Sequence, residues 1–257
     1  MWTLLLACGG DNPTDAPGGT TDATTDVGGE PCVGGESVVS METTDGVTLE
    51  ADDMMASVSG RPALVLFHMV PPYFDRSSWP KRIRSKFHDL DINVLNVDRR
   101  GAGGSGGVPE EAYFGDGALL DGEAAVSWLM SDQRGCAIDT ERLMLFGASN
   151  GTTTTLDYAF GHAGDLPDVA GLAWLSPGEY TEAQNDIDDK RKKLENVSMH
   201  WLYPENEPYA DDFVDGAPGT WQFARRGLQH GTDMFDGDTL EDDTVADLLA
   251  LVDDVLN

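Results

Sequence analysis

The sequence predicts an α/β fold built on a mostly parallel, doubly wound sheet of eight strands. Three observations lead to this prediction: short runs that are apolar at nearly every position, stretches with helical spacing between them, and a serine flanked by glycines where one run ends. Strands buried on both faces of a parallel sheet have the first pattern, and helices that cover the sheet have the second. Ligands of such sheets bind at the carboxyl ends of the strands.

Two apolar-rich segments on either side of Asp45 and Gly46 predict an antiparallel strand pair at the start of the folded part. Asp-Gly is typical of two-residue hairpin turns. Six further strands are predicted by short apolar runs at residues 62–68, 92–98, 142–147, 169–176, 197–203 and 220–228.

Helical patterns lie between these runs. Trp79, Ile83 and Phe87 are spaced four apart, with Ser78 as the candidate N-cap and Pro80 in the predicted first turn. The other predicted helices are a segment with the apolar face Leu120, Ala124, Ala125, Trp128 and Leu129, residues 152–161, residues 183–195, and a terminal helix with capping-box spacing from Asp238 to Glu241.

Composition limits the number of domains and the classes of partner. With 257 residues and 40% hydrophobic content, the chain is long enough for one large domain. Acidic residues number 46 against 16 basic residues, which gives a formal net charge of −30. This charge repels nucleic acid and anionic membrane surfaces, so neither is an expected partner.

The first 35 residues have the composition of an export signal and a tether. Cys8 ends the stretch LLLAC, which resembles the lipobox of bacterial lipoproteins and makes Cys8 the expected lipidation site. Residues 1–8 are short for such a leader, which predicts a true start further upstream. Residues 9–35 are rich in Gly, Pro, Thr and Asp and predict a flexible acidic linker, followed by a catalytic domain at residues 36–257.

The expected location is therefore the periplasm or the cell surface. No stretch of the sequence has the roughly 18 apolar residues of a transmembrane helix, so lipid at Cys8 is the only expected link to a membrane. Cys32 and Cys136 allow two interpretations. They form a disulfide between the start of the domain and the loop before a central strand, or they remain free thiols.

Gly147, Ser149 and Gly151 form the pattern G-x-S-x-G. The letters alone are a weak signal, because glycine and serine are common in this chain. Their position is more informative, since they fall where the strand at residues 142–147 meets the helix at residues 152–161. A tight strand-to-helix turn needs glycine on both sides and holds the serine hydroxyl out at the sheet edge.

At these residues the chain resembles the α/β-hydrolase family, and within it the dienelactone-hydrolase-like branch. The resemblance extends over about residues 37 to 257, and a set of motifs in the family's order supports it: DGVTL at 45–49, LVLFHM at 64–69, NVDRRGAGGSGG at 96–107, GASNG at 147–151, ENEPYA at 205–210 and QHGTDMF at 229–235. It implies a serine nucleophile, then an acid, then a histidine along the chain.

A serine nucleophile needs a base, and His230 is the expected one. Among the five histidines it alone follows the last strand in a loop before the final helix. The other candidates have different expected places: His88 on a solvent-facing helix, His162 in a loop, and His200 within a strand.

The acid that orients the base is expected after the seventh strand. The segment EPYA places Glu207 where the family usually has aspartate, and glutamate is an accepted substitute. Glu205 is a rival two residues earlier. Asp211 and Asp212 remain as alternatives on the same acidic loop.

The resemblance also implies an oxyanion hole made of two backbone N–H groups, those of Met69 and Asn150. His68 is then expected to support the loop that carries Met69. The alternative for this pair is a strand end without a chemical role.

Together these residues predict hydrolysis of a small-molecule carboxylic ester or thioester through an acyl-enzyme on Ser149. Two alternatives stay open: a serine peptidase or acyltransferase with the same triad, and a non-catalytic surface lipoprotein that retains the fold. About 20 residues separate the sixth and seventh strands, so no large cap domain is expected. Residues 70–79, 108–116 and 177–190 are expected to shape the mouth of the site.

No cofactor and no metal are expected. The glycine-rich residues 99–107 lack the lysine of a phosphate-binding loop, and the carboxylates of residues 233–243 lack calcium-loop spacing. Nothing in the sequence predicts the oligomeric state.

Overall fold

A computed structural model of the protein describes residues 29–114, 116–180, 187 and 192–256. Its sheet has eight strands in the order β1-β2-β4-β3-β5-β6-β7-β8. The strands are β1 Gly35–Glu42, β2 Thr48–Met55, β3 Arg61–Phe67, β4 Asn93–Val97, β5 Ile138–Ala148, β6 Gly171–Leu175, β7 Ser198–Tyr203 and β8 Trp221–Arg225. The β1–β2 and β2–β4 pairs are antiparallel and the other pairs are parallel, which confirms the predicted fold class.

Helices from the continuous stretches that the structure describes cover the two faces of the sheet. They are α1 Lys81–His88, α2 Gly117–Leu129, α3 Gly151–Gly161 and α4 Asp238–Leu256. Helices α2 and α3 pack with one apolar core, and α1 and α4 with the other. Strand β3 shows why the central runs are apolar throughout, since Val65 and Phe67 enter the first core while Leu64 and Leu66 enter the second.

Three boundaries differ from the sequence prediction. The hairpin loop spans residues 43–47 instead of two residues, because the Thr43 hydroxyl accepts a hydrogen bond from the Val47 amide and widens the turn. Helix α1 begins at Lys81, because Arg76–Ser78 form a separate 3-10 turn capped by Asp75. Strand β8 ends at Arg225, three residues before the predicted boundary at 228.

The predicted capping box differs as well. Glu241 pairs with Arg82 of helix α1 at 2.6 Å, and the side chains of Asp238 and Thr239 lie outside the described residues. Most of the helix predicted at residues 183–195 also lies outside them.

The amino ends of the parallel strands are held together by covalent and ionic links. Cys32 and Cys136 form a disulfide with a Cα–Cα distance of 5.4 Å, so of the two interpretations above the structure contains the bonded one. Nearby, the guanidinium of Arg134 lies 2.9 Å from both carboxylate oxygens of Asp53, and both side chains are buried. Because a buried charge is costly without a partner, each of these two charges offsets the desolvation cost of the other.

The folded part starts earlier than residue 36. Pro31 forms a bridge with Val58, and the Cys32 N–H donates to the Ser57 carbonyl, so the last part of the predicted linker 9–35 is fixed to the domain. Residues 1–28, with Cys8, lie outside the described residues. No helix in the part of the chain that the structure describes is long and apolar enough to cross a membrane.

Candidate active site

Ser149 lies on a sharp turn between β5 and α3, with a backbone φ of 49°. The flanking glycines are required by space. A Cβ atom at Gly147 would approach the Gly151 carbonyl oxygen to 2.5 Å, and one at Gly151 would approach the His68 carbonyl oxygen to 2.5 Å. The Ser149 N–H donates to the Leu175 carbonyl at 2.7 Å, which fixes the turn to the end of β6. The left-handed backbone is therefore held by its neighbours on both sides.

The structure brings Ser149, His230 and Glu207 into one hydrogen-bonded chain. The His230 Nε2 atom lies 2.6 Å from Ser149 Oγ, and the Nδ1 atom lies 2.8 Å from both carboxylate oxygens of Glu207. Glu207 follows β7 and His230 follows β8, so both come from the carboxyl ends of neighbouring strands. A carboxylate can only accept, so Nδ1 carries the proton and Nε2 is free to accept the serine proton.

The rival acids have other positions. Glu205 is exposed, and its backbone N–H donates to the Gly227 carbonyl. The Asp211 carboxylate pairs with Arg225 and accepts the Tyr203 hydroxyl, and Asp212 is exposed. Among the described acids considered for this role, the one hydrogen-bonded to His230 is thus Glu207.

The positions predicted for the oxyanion hole lie on the two loops next to Ser149. Within the part of the chain that the structure describes, neither the Met69 N–H nor the Asn150 N–H donates a hydrogen bond, although the adjacent Ser149 and Thr152 amides both do. Gly231 has φ +57°, and a Cβ atom there would come within 2.4 Å of the Met69 sulfur. Glycine beside His230 therefore leaves room for the Met69 side chain.

His68 supports the Met69 loop from below. It is buried, its Nδ1 lies 2.7 Å from the Met69 carbonyl oxygen, and its Nε2 accepts the Arg99 N–H at 2.9 Å. Burial lowers the pKa of His68 to about 3. The ring is therefore neutral at physiological pH, with Nδ1 as the donor and Nε2 as the acceptor.

Tyr180 borders the site and was not singled out by the sequence. Its hydroxyl donates to the Ser176 carbonyl at 2.5 Å. Its ring meets His230 edge-on at a centroid distance of 6.3 Å, and burial raises the pKa of its hydroxyl. The only sequence signal for it was its place in residues 177–190, the predicted mouth; residues 181–186 and 188–190 of that segment lie outside the described ones.

The remaining histidines and the glycine-rich loop have structural partners. His88 bonds the Ile92 carbonyl from helix α1, His162 stacks on Tyr158 at the end of α3, and His200 is buried in β7, where burial lowers its pKa. In the loop, the Gly104 N–H donates to the Asp98 carboxylate at 2.8 Å. Among the described residues, no group of three His, Cys, Asp or Glu side chains is arranged to hold a metal ion.

No protein-family model matches the chain, and a search of curated proteins finds no match to its sequence. Solved structures do resemble it. A bacterial heroin esterase superposes with a TM-score of 0.64 at 14% identity, over 87% of this chain and 84% of that one. An esterase of Pyrococcus furiosus gives 0.62 at 13% identity, over 88% and 97%.

A third structure, an α/β hydrolase from a Penicillium species, gives a TM-score of 0.61 at 16% identity, over 85% of this chain and 98% of that one. Similarity at this level of identity concerns the fold. The chain has the α/β-hydrolase fold, and a serine, a histidine and a glutamate meet at the carboxyl edge of its sheet.

Proposed function

We propose that this protein is a serine hydrolase that cleaves small-molecule carboxylic esters through an acyl-enzyme on Ser149. The observation that carries the proposal is the continuous contact from Ser149 Oγ through the His230 ring to Glu207, at 2.6 Å and 2.8 Å. A serine hydroxyl is a weak nucleophile until a base takes its proton, and these contacts support His230 as that base. Two of the structural neighbours are named as esterases, which supports an ester as the substrate.

In the proposed first step, Ser149 Oγ attacks the ester carbonyl carbon and its proton passes to His230 Nε2. The carbonyl electron pair moves onto oxygen, where the Met69 and Asn150 N–H groups stabilise the negative charge. His230 then gives the proton to the leaving alcohol as the C–O bond breaks. Glu207 keeps the proton on Nδ1 throughout and stabilises the imidazolium.

In the second step, a water molecule attacks the acyl-enzyme while His230 Nε2 takes its proton. The tetrahedral intermediate collapses, the carboxylic acid leaves, and Ser149 Oγ recovers its proton. The connection from β6 to β7 comprises only residues 176–197, which supports a site without a large cap domain. We expect the mouth to admit compact esters, with Tyr180 on its inner wall.

Two finer assignments belong to the same proposal. We infer membership of the dienelactone-hydrolase-like branch, with serine as the nucleophile and esters or thioesters as substrates. We also infer export, with lipid at Cys8 and a flexible linker before the domain. The Cys32–Cys136 disulfide supports export, because disulfides persist in oxidising compartments. Mass spectrometry of the N-terminal peptide from a membrane fraction tests the lipid.

A substrate panel tests the proposed reaction. Purified wild type and Ser149→Ala are assayed with short p-nitrophenyl esters, an acyl thioester and an amide of matched acyl chain. The proposal predicts ester turnover by the wild type and none above background for Ser149→Ala. Dominant amide cleavage would instead indicate a peptidase, and acyl transfer to an added alcohol in preference to water an acyltransferase. Folded wild type that cleaves none of them would favour a non-catalytic role.

A further inference from the structure

Arg99 has a guanidinium that is buried without a carboxylate partner. The side chain is 0% exposed, and among the described residues it forms no ion pair. The next residue differs: Arg100 is also buried, yet it binds Asp121 at 2.8 Å and Asp45 at 2.9 Å. Arg134, at the other end of the sheet, is paired with Asp53. Asp121 and Asp157 act on the Arg99 charge only at a distance, so among the described residues no carboxylate contact offsets its desolvation.

The contacts of Arg99 reach both loops of the proposed oxyanion hole. Its Nη1 donates to Asn150 Oδ1 at 2.7 Å, on the residue whose N–H is one expected oxyanion donor. Its backbone N–H donates to His68 Nε2 at 2.9 Å, and the other nitrogen of that ring bonds the Met69 carbonyl. Its Nη2 donates to the Ala112 carbonyl at 2.6 Å. One residue thus links the Met69 loop, the Asn150 turn and the 109–112 turn.

We propose that Arg99 is a positioning residue for the oxyanion hole: it fixes the Met69 and Asn150 amides, and its buried positive charge favours the negative oxygen that forms beside them. The inference rests on the proposed function. A positive charge in a dry, low-dielectric place acts more strongly on a developing anion than it would in water. A carboxylate in direct contact with the guanidinium would weaken that field, and no described carboxylate makes such a contact.

The charge is present at working pH. Burial lowers the pKa of Arg99 to about 10, so the guanidinium remains protonated near neutrality. Its Nε atom has no hydrogen-bond partner among the described residues. The guanidinium of Arg134, by contrast, bonds Asp53, Asn93 and the Cys136 carbonyl.

Three substitutions separate the charge from the hydrogen bonds: Arg99→Gln, which is neutral, Arg99→Lys, which keeps the charge and loses the fork, and Arg134→Gln as the matched control at the other end of the sheet. For each, kcat and KM are measured with the best ester of the panel. Inhibition is measured with a trifluoromethyl ketone of the same acyl shape, to which Ser149 adds, forming a C–O bond and a tetrahedral oxyanion as the proton passes to His230. The matching methyl ketone reports ground-state binding.

We expect Arg99→Gln to lower kcat on the order of 100-fold with KM little changed, because misplaced donors affect the transition state more than substrate binding. Binding of the trifluoromethyl ketone should weaken by a similar factor, while binding of the methyl ketone stays the same. Arg99→Lys should recover part of the loss. Arg134→Gln should unfold at lower urea concentration than wild type and keep its kcat.

Two results would overturn the inference and leave the proposed function standing: an active wild type with an Arg99→Gln variant whose kcat is within about twofold of it, or equal weakening of both ketones. If Arg99→Gln does not fold, the kcat of Arg99→Lys tests the positioning role instead. A kcat equal to that of the wild type in Arg99→Lys would contradict this role. A wild type that neither turns over esters nor binds the trifluoromethyl ketone overturns the proposed function, and the inference with it.

Discussion

The two ends of the parallel strands are built differently. At the amino end, the buried Arg134 meets Asp53 on both of its carboxylate oxygens, and the Cys32–Cys136 disulfide closes the same region. At the carboxyl end, Ser149 and Ser176 both have positive φ, and no described carboxylate forms an ion pair with the buried Arg99. The first end pairs its buried charges within the protein, and the second carries the two strained serines and the Ser149–His230–Glu207 contacts.

This contrast teaches where stability and reactivity are expected to reside. Substitutions at the amino end should lower the free energy of unfolding and leave turnover unchanged, because their contacts do not reach Ser149. Substitutions of Ser149, His230 and Glu207 at the carboxyl end should lower turnover and change the free energy of unfolding little, since groups held in place for chemistry contribute little to folding.

Replacing the proposed base should have the largest effect. His230→Ala is expected to lower kcat/KM by about 10⁵- to 10⁶-fold, because Ser149 then has no group to take its proton. The His230 side chain is 36% exposed, so the free energy of unfolding should change by less than about 1 kcal/mol. Ester hydrolysis and urea unfolding measure the two quantities. His162→Ala, at the end of α3, is the control, and retained turnover in His230→Ala would exclude the base assignment.

Replacing the proposed acid should have the second largest effect. Glu207→Gln is expected to lower kcat by about 10⁴-fold, because an amide can hold the imidazole in the wrong tautomer. Glu205→Gln should stay near wild type, since that side chain is exposed and two residues away. Steady-state kinetics on both variants decide between them. A larger loss in Glu205→Gln would reverse the assignment of the acid.

At the opposite end, removing the disulfide should affect stability instead. The double variant Cys32→Ser, Cys136→Ser opens a link that spans 104 residues, and it is expected to lose up to about 4 kcal/mol of unfolding free energy. Its kcat should remain within about twofold of wild type. Urea unfolding and ester turnover on the same preparation test this, and a kcat that fell in parallel with stability would show that the two ends are coupled.

The smallest effect concerns pH. The pKa of His68 is about 3 in the folded protein and near 6.5 when unfolded, so between these values the unfolded chain binds the extra proton. The free energy of unfolding therefore falls as pH falls below about 6.5, by roughly 1.4 kcal/mol per pH unit, and the loss reaches about 2 kcal/mol at pH 5. His68→Gln should lack this component. Parallel slopes for the two proteins would refute it.

The sheet could be predicted from the sequence because strands buried on both faces are apolar at nearly every position, as in β3 and the second half of β5. The predicted start of α1 was wrong because Asp75 caps a separate turn. The spacing of apolar residues does not show which of two neighbouring capping residues begins the helix. The hairpin was misjudged for a related reason, since the Thr43 hydroxyl replaces part of the expected backbone turn.

The site was predictable only where chain order constrains it. Ser149 and His230 stood out by position, whereas Glu207 and Glu205 lie in one loop and only their contacts separate them. Arg99 and Tyr180 could not have been found, because two adjacent arginines look alike until the fold pairs Arg100 with Asp121 and leaves Arg99 on Asn150. A role that depends on which side chains the fold brings next to a residue leaves no pattern in the neighbouring sequence.

The most direct measurement is the site of covalent labelling by a fluorophosphonate, located by peptide mass spectrometry on the folded protein. The reagent loses fluoride when an activated hydroxyl attacks phosphorus, so it reports activation of the serine directly. We predict one adduct, on the peptide that contains Ser149, absent in Ser149→Ala and much slower in His230→Ala. Folded wild type that remains unlabelled, or that carries the adduct on another residue, would contradict the account.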